Sequence, residues 1–238
     1  MALFEQLLHI LQGPMVWIAL GVFAAGLVVQ SLRLWSYTRK SNPHTIGFAA
    51  NPRIGEKNSR SRQWVRRSGA IKTTALGASP VVTGVSIIFH IFLFITPLFL
   101  MGHNVLIHTA TGIRLPSFSE PVSDVCTLTV LVCGLFFLLR RLLSRNVRAL
   151  TSAYDLFLLL LVMLPFASGF LARHHLLIDY RQMILLHMAA GELMLIMIPF
   201  SKFFHMIFFF FGRFCIVSEY SLAAPKRIWQ FHSRGAKQ

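Results

Sequence analysis

Acidic residues are scarce in this chain, with 8 Asp and Glu against 23 Lys and Arg in 238 residues and a formal charge of +15. Charged residues of both signs reach only 13%, well below the roughly 25% of a soluble domain. A water-facing globule is excluded for most of the length. Cysteine is nearly absent too: Cys126, Cys133 and Cys215 lie in or beside apolar segments, with no CxxC or CxxCH. That spacing encodes neither a thiolate zinc site, an iron–sulfur site nor a covalently attached c-type haem, so the thiols read as packing residues. No Lys or Arg precedes the first apolar stretch in MALFEQLLHILQGP, so the start lacks the charged region of a cleavable signal peptide and reads as a translocated end. No internal repeat is apparent, which leaves an inverted-repeat transporter without support.

What the chain has is apolar length: 55% of its residues are hydrophobic and 22 are Phe. Crossing a hydrocarbon core of about 30 Å takes roughly 20 apolar residues per helix. Five runs qualify, at about 14–34, 80–101, 122–139, 154–171 and 183–211. The expected fold is an all-α integral membrane bundle of five transmembrane helices, one domain over 1–238. A basic loop at 35–79 and a basic tail at 212–238 complete it. Alternate connections share a side, and Lys plus Arg divide between the two sides as 20 to 3, the three being Arg114, Arg173 and Arg181. By the positive-inside rule the N-terminus lies outside and the C-terminus in the cytoplasm, as in a multi-pass protein of a bacterial inner (cytoplasmic) membrane. The basic run RIGEKNSRSRQWVRR from Arg53 then faces anionic membrane lipid. With Trp64 among its arginines it suits docking to a cytoplasmic partner subunit, and nucleic acid is not the expected partner.

Ionisable residues inside a span are costly and point to function, so the ten histidines carry the most information. His9, His44, His174, His175 and His232 fall in tails or loops; His90, His103 and His108 belong to the second run or its outer end; His187 and His205 belong to the fifth. His187 and His205 are 18 residues apart, five turns of an unbroken helix, which puts both on one face about 27 Å apart. His90 and His103 are 13 residues apart, roughly 20 Å along a helix. Because the two helices run antiparallel, His90 faces the depth of His205, and His103 that of His187.

Facing neutral imidazoles at two depths are what two six-coordinate b-type haems need, and noncovalent haem requires no cysteine. Gly191, one turn after His187, and Gly102 beside His103 would let a flat macrocycle approach the backbone. Zinc or copper would be short of protein ligands at such two-histidine sites. On an ideal helix His103 is about 140° from the face of His90, whereas His108, 18 residues from His90, repeats the spacing of the fifth run. Pro97 between them can change that phase, so periodicity leaves His103 and His108 as equal candidates.

The sequence LHMAAG from Leu186, IPFSK at 198–202 and FH at 204–205 resembles the last span of the respiratory nitrate reductase gamma subunit, a five-helix dihaem cytochrome b. LLRRLLSRNVRALT from Leu138, followed by Asp155, is similar to that family's connection between spans three and four. FH at 89–90 with GH at 102–103 is similar to its second span. Over about 80–210, the resemblance implies that His103 and His187 hold an outer haem and His90 and His205 an inner one, selecting His103 over His108. The wider spacing of the second-span histidines, the short connection between spans four and five and the long loop after span one depart from the nitrate reductase pattern. They look more like the cytochrome b subunits of the transmembrane redox complexes of sulfate reducers, of the Dsr, Hmc and Tmc kinds. That likeness implies a subunit carrying electrons between a periplasmic multihaem cytochrome c, menaquinol or both, and a cytoplasmic iron–sulfur subunit similar to heterodisulfide reductase.

Where the nitrate reductase family has a lysine at its quinol site, this chain reads SFSEPV from Ser117, and its outer side has no lysine. A quinol or menaquinone site would draw on Asn104, Arg114, Glu120 or Asp124, since a quinol needs a hydrogen-bond partner and a proton acceptor. The acidic Glu5, Glu120, Asp124 and Asp179 outnumber the three outer arginines and could steer a lysine-rich cytochrome. Glu192, about 140° from His187, reads as the partner of another helix or as a proton or quinone group. Asp155 and Arg148 read as packing or docking residues. The competing reading of another class is a haem-free membrane anchor or proton-relay protein whose histidines only pack.

Overall fold

A computed structural model describes residues 2–40 and 79–214, with side chains over 4–37 and 79–209. Expectations that fall on His44, His232, Cys215, Trp64 and the basic run from Arg53 lie outside the described residues. In chain order the helices are α1 (Ala2–Ile10), α2 (Val16–Lys40), α3 (Pro80–Phe99), α4 (Met101–Thr111), α5 (Glu120–Leu143), α6 (Arg145–Ala149), α7 (Ala153–Arg173), α8 (Tyr180–Met197) and α9 (His205–Phe214). A π-helical turn at Leu11–Met15 and a 3-10 turn at Lys202–Phe204 join them, and no strand occurs among the described residues.

Among the described residues, four helical stretches are long and apolar enough to cross a membrane: Phe4–Tyr37, Pro80–Phe99, Glu120–Leu143 and Ala153–Arg173. Tyr180–Met197 with Lys202–Phe209, bent by 68°, makes a fifth if the pair is one span. Apolar side chains along these helices face outward, among them Val132 at 64% and Leu160 at 50% exposure. In water such surface would drive association, whereas hydrocarbon solvates it. The chain is an all-helical, multi-pass membrane protein.

The contacts of the described residues divide into two units, one of residues 2–11 and 79–191, the other of residues 12–40 and 192–214. In the first unit α5 packs against α3 and α7. Its buried stripe is Ser123, Cys126, Thr127, Val130, Cys133 and Gly134, the i, i+3, i+4, i+7 pattern of a helix face. Small residues let helices approach where no water drives them together. A Cβ at Gly134 would stand 2.7 Å from Met163 Sδ. Cys126 and Cys133 are buried free thiols in this stripe. Phe89 on α3 meets Phe137 on α5 edge-on at 5.6 Å. At the start of α7, Ser152 and Asp155 close a capping box, which satisfies two of the orphan amides of a helix N-terminus. Asp155 is thus a helix-capping residue.

Two helices expected to continue are broken. Instead of running through 101, α3 stops at Phe99, Leu100 is extended at φ −71 and ψ 128, and α4 begins at Met101. The carbonyls released there find donors from outside the helix: Phe118 N–H reaches Phe99 O at 2.9 Å and the His103 ring reaches Pro97 O at 2.9 Å. The run expected over 183–211 breaks after Met197, because Pro199 has no N–H to offer. His187 and His205 therefore do not share one face of a straight helix, and the expected five-turn register is corrected. In the second unit, Gln30 of α2 donates its side-chain amide to Pro199 O at 3.1 Å.

Candidate functional site

His90, His103, His187 and His205 share one device: in each, Nδ1 lies within hydrogen-bond distance of a backbone carbonyl. The partners are Ser86 O at 2.6 Å, Pro97 O at 2.9 Å, Pro165 O at 2.8 Å and Lys202 O at 2.7 Å. A carbonyl only accepts, so each ring donates from Nδ1 and, when neutral, keeps its lone pair on Nε2. Metal-ligating histidines are held in this way, the outer hydrogen bond fixing both tautomer and ring orientation. His108 is engaged differently: its Nε2 accepts from Arg114 Nε at 3.2 Å, and its buried Nδ1 has no hydrogen-bond partner among the described residues. His174 meets Asp124 Oδ2 through Nε2 at 3.4 Å.

Within the first unit His103 and His187 come together. Their ring centroids are 5.9 Å apart and their planes differ by 27°. A metal–imidazole nitrogen bond is about 2 Å, so one metal between two rings separates their centroids by roughly 6 Å. The pair has the donor type of a six-coordinate haem iron at a centroid separation of that order, with the two rings stacked. Metal groups of three or more His, Cys, Asp or Glu are absent among the described residues, and a two-histidine haem site needs none. His90 belongs to the first unit and His205 to the second. Each meets a carbonyl of its own chain segment, His90 the one four residues earlier in α3 and His205 the one three residues earlier in the 3-10 turn before α9.

Gly169 is the site residue that sequence reasoning missed. A Cβ there would stand 3.0 Å from both Cε1 and Nδ1 of His187, so the bare backbone of α7 is what lets the imidazole lie against it. Ser168 beside it is buried and donates to Leu164 O at 2.7 Å, with its Oγ 3.4 Å from His187 Nδ1. The available signal was Gly169, one turn after Pro165 within an apolar span, where the missing side chain leaves room for a ring beside the Pro165 carbonyl. At Gly102 and Gly191 a Cβ would meet no protein atom within 4 Å.

The four residues expected around a quinol separate into different contacts. Asn104 is buried and donates to Pro116 O at 2.9 Å and Ser117 Oγ at 2.8 Å, while its buried Oδ1 has no hydrogen-bond partner among the described residues. Arg114 holds His108. Glu120 and Asp124 both bind Arg173, at 3.2 and 3.1 Å. Glu5 pairs with Arg181 at 2.6 Å. Glu192, expected as the partner of another helix, is 6% exposed and both its carboxyl oxygens lack a hydrogen-bond partner among the described residues.

No protein-family profile matches the chain, and no solved structure matches it. It is 35% identical over 219 residues to a protein of Nitratidesulfovibrio vulgaris (strain Hildenborough) called simply "Protein", the alignment covering 89% of this chain and 92% of that one. The chain belongs to the same family as that N. vulgaris protein.

Proposed function

We propose that this member of the family is the dihaem b-type cytochrome subunit of a multisubunit respiratory redox complex in a bacterial inner membrane. It carries electrons between the periplasmic side and a cytoplasmic iron–sulfur subunit resembling heterodisulfide reductase. His103 and His187 hold the outer haem, and His90 and His205 the inner one. The observation that carries this reading is the shared Nδ1–carbonyl hydrogen bond of those four histidines, together with the 5.9 Å approach of His103 and His187. Haem supplies one-electron redox chemistry, tuned by its axial ligands, burial and nearby hydrogen bonds. The polypeptide's share is to fix four imidazole tautomers and to present them from apolar helical segments.

The relative in a sulfate reducer supports the sulfate-respiration branch over a quinol-oxidising nitrate reductase gamma subunit. The orientation rests on arginine: Arg140, Arg141, Arg145 and Arg148 fall at the end of α5 and in α6, while the connections beside His103 and His187 carry Arg114, Arg173 and Arg181. For the outer electron partner we favour a periplasmic multihaem cytochrome c. A menaquinol reading draws on one feature, the buried Asn104 Oδ1 next to His103, without a hydrogen-bond partner among the described residues, which could accept from a quinol hydroxyl.

Pyridine haemochrome analysis of the purified subunit should give two b haems per chain, with a reduced-minus-oxidised spectrum showing their alpha bands. A haem-free preparation with no alpha band would replace this reading with the membrane anchor or proton relay.

A further inference from the structure

In the second unit the first long helix and the broken last span answer each other's defects. Pro199 ends α8, and a broken helix in hydrocarbon leaves carbonyls that must be satisfied within the protein. Pro199 O is satisfied by the side-chain amide of Gln30 at 3.1 Å. Gln30 is a polar residue within the apolar α2, and its amide would be costly there without a partner. One turn before it stands Gly26, on the same helix face. A Cβ at Gly26 would lie 2.6 Å from both Cβ and Cγ of Pro199, nearer than atoms of a rigid ring can yield. Pro199 is itself fully buried. From this fixed point the chain makes a short capped turn, Ser201 Oγ accepting from Phe203 N at 3.2 Å, and Lys202 O then receives the His205 ring at 2.7 Å.

We propose that Gly26 and Gln30 form a positioning clamp on the Pro199 break that sets the orientation of His205 as a haem ligand. The proposal rests on the haem reading above. It gives the first span, which contributes no ligand, a part in tuning the His205 haem. Both are positioning residues: they act through Pro199 and the 201–204 turn.

The test uses the full chain in its native membrane, with the haem component lost in His205→Ala identified first. Gln30→Leu keeps the side-chain bulk and removes the amide, while Gly26→Ala drives a methyl into Pro199. Each should change the redox equilibrium of the His205 component by at least tenfold, about 59 mV for one electron, and alter its low-spin electron paramagnetic resonance signal. The other haem should stay within twofold of its parental equilibrium. An unchanged His205 component in both variants would overturn the clamp, as would equal shifts or joint loss of both haems. Absence of haem from the parental chain would overturn the haem reading and the clamp with it, an outcome distinct from haem present and unmoved.

Discussion

His103 and His187 are held by a different kind of bond from His90 and His205. His103 and His187 send their Nδ1 protons across discontinuities, one over the Leu100 break to Pro97 O and the other between helices to Pro165 O, with 22 residues between the partners. His90 and His205 bond to carbonyls four and three residues earlier on their own chain segments. Local bonds survive as long as a helix does, whereas tertiary bonds survive only while two elements keep their separation. The His103–His187 pair should therefore respond to packing changes around it, and His90 should not. His205 is local in its bond but inherits its placement from the Pro199 break.

The largest effects come from the rings themselves. His103→Ala or His187→Ala should remove one haem, and His90→Ala or His205→Ala the other, read as one haem per chain by pyridine haemochrome. His108→Ala should retain both, because its ring is spent on Arg114. Loss of a haem in His108→Ala with both kept in His103→Ala would reverse the choice of outer ligand. A smaller effect sharpens the tertiary side of the comparison. Gly169→Leu puts a side chain where a Cβ already stands 3.0 Å from the His187 ring, and should cost that haem roughly 10- to 100-fold in affinity, the usual range for losing a ligand's outer support. Gly169→Ala needs only a few tenths of an ångström of adjustment and should shift the potential without loss of haem. Equal sensitivity of the His90–His205 haem to Gly169→Leu would end the distinction between the pairs.

The apolar runs and the histidine set were legible because burial in hydrocarbon writes itself into composition, and because imidazoles are rare there. The breaks were not legible. Pro97 and Pro165 lie inside α3 and α7, whereas Pro199 follows the end of α8, so the same residue type is carried within one helix and stops another. Gln30, 169 positions away in sequence, meets the carbonyl at that stop, and no periodicity within the fifth run contains it. Gly169 was hidden for the same reason: its value lies in a ring contributed by another helix. His103 was separable from His108 by family resemblance alone.

The smallest expected effect concerns the face near His103, where the sequence offered four acidic residues as a steering field. Glu120 and Asp124 are bound by Arg173 and Glu5 by Arg181, so an incoming cation meets carboxylates already partly neutralised. These pairs are substantially exposed, with side chains at 32% and 75% for Arg173 and Glu120, and such pairs contribute about 0–1 kcal/mol to stability. Arg173→Gln should therefore barely change the thermal midpoint of the complex. It should, however, leave the face more negative by one charge and release two carboxylates from their partner. If a lysine-rich periplasmic cytochrome c docks here, its rate of reducing the haems at low salt should rise roughly 2- to 10-fold, and the gain should fade as salt screens the face. A neutral menaquinol analogue has no charge to steer, so its rate should be the same in both forms. A salt-independent change in the quinol rate, with cytochrome c inert, would move the outer electron entry to a quinol site beside Asn104.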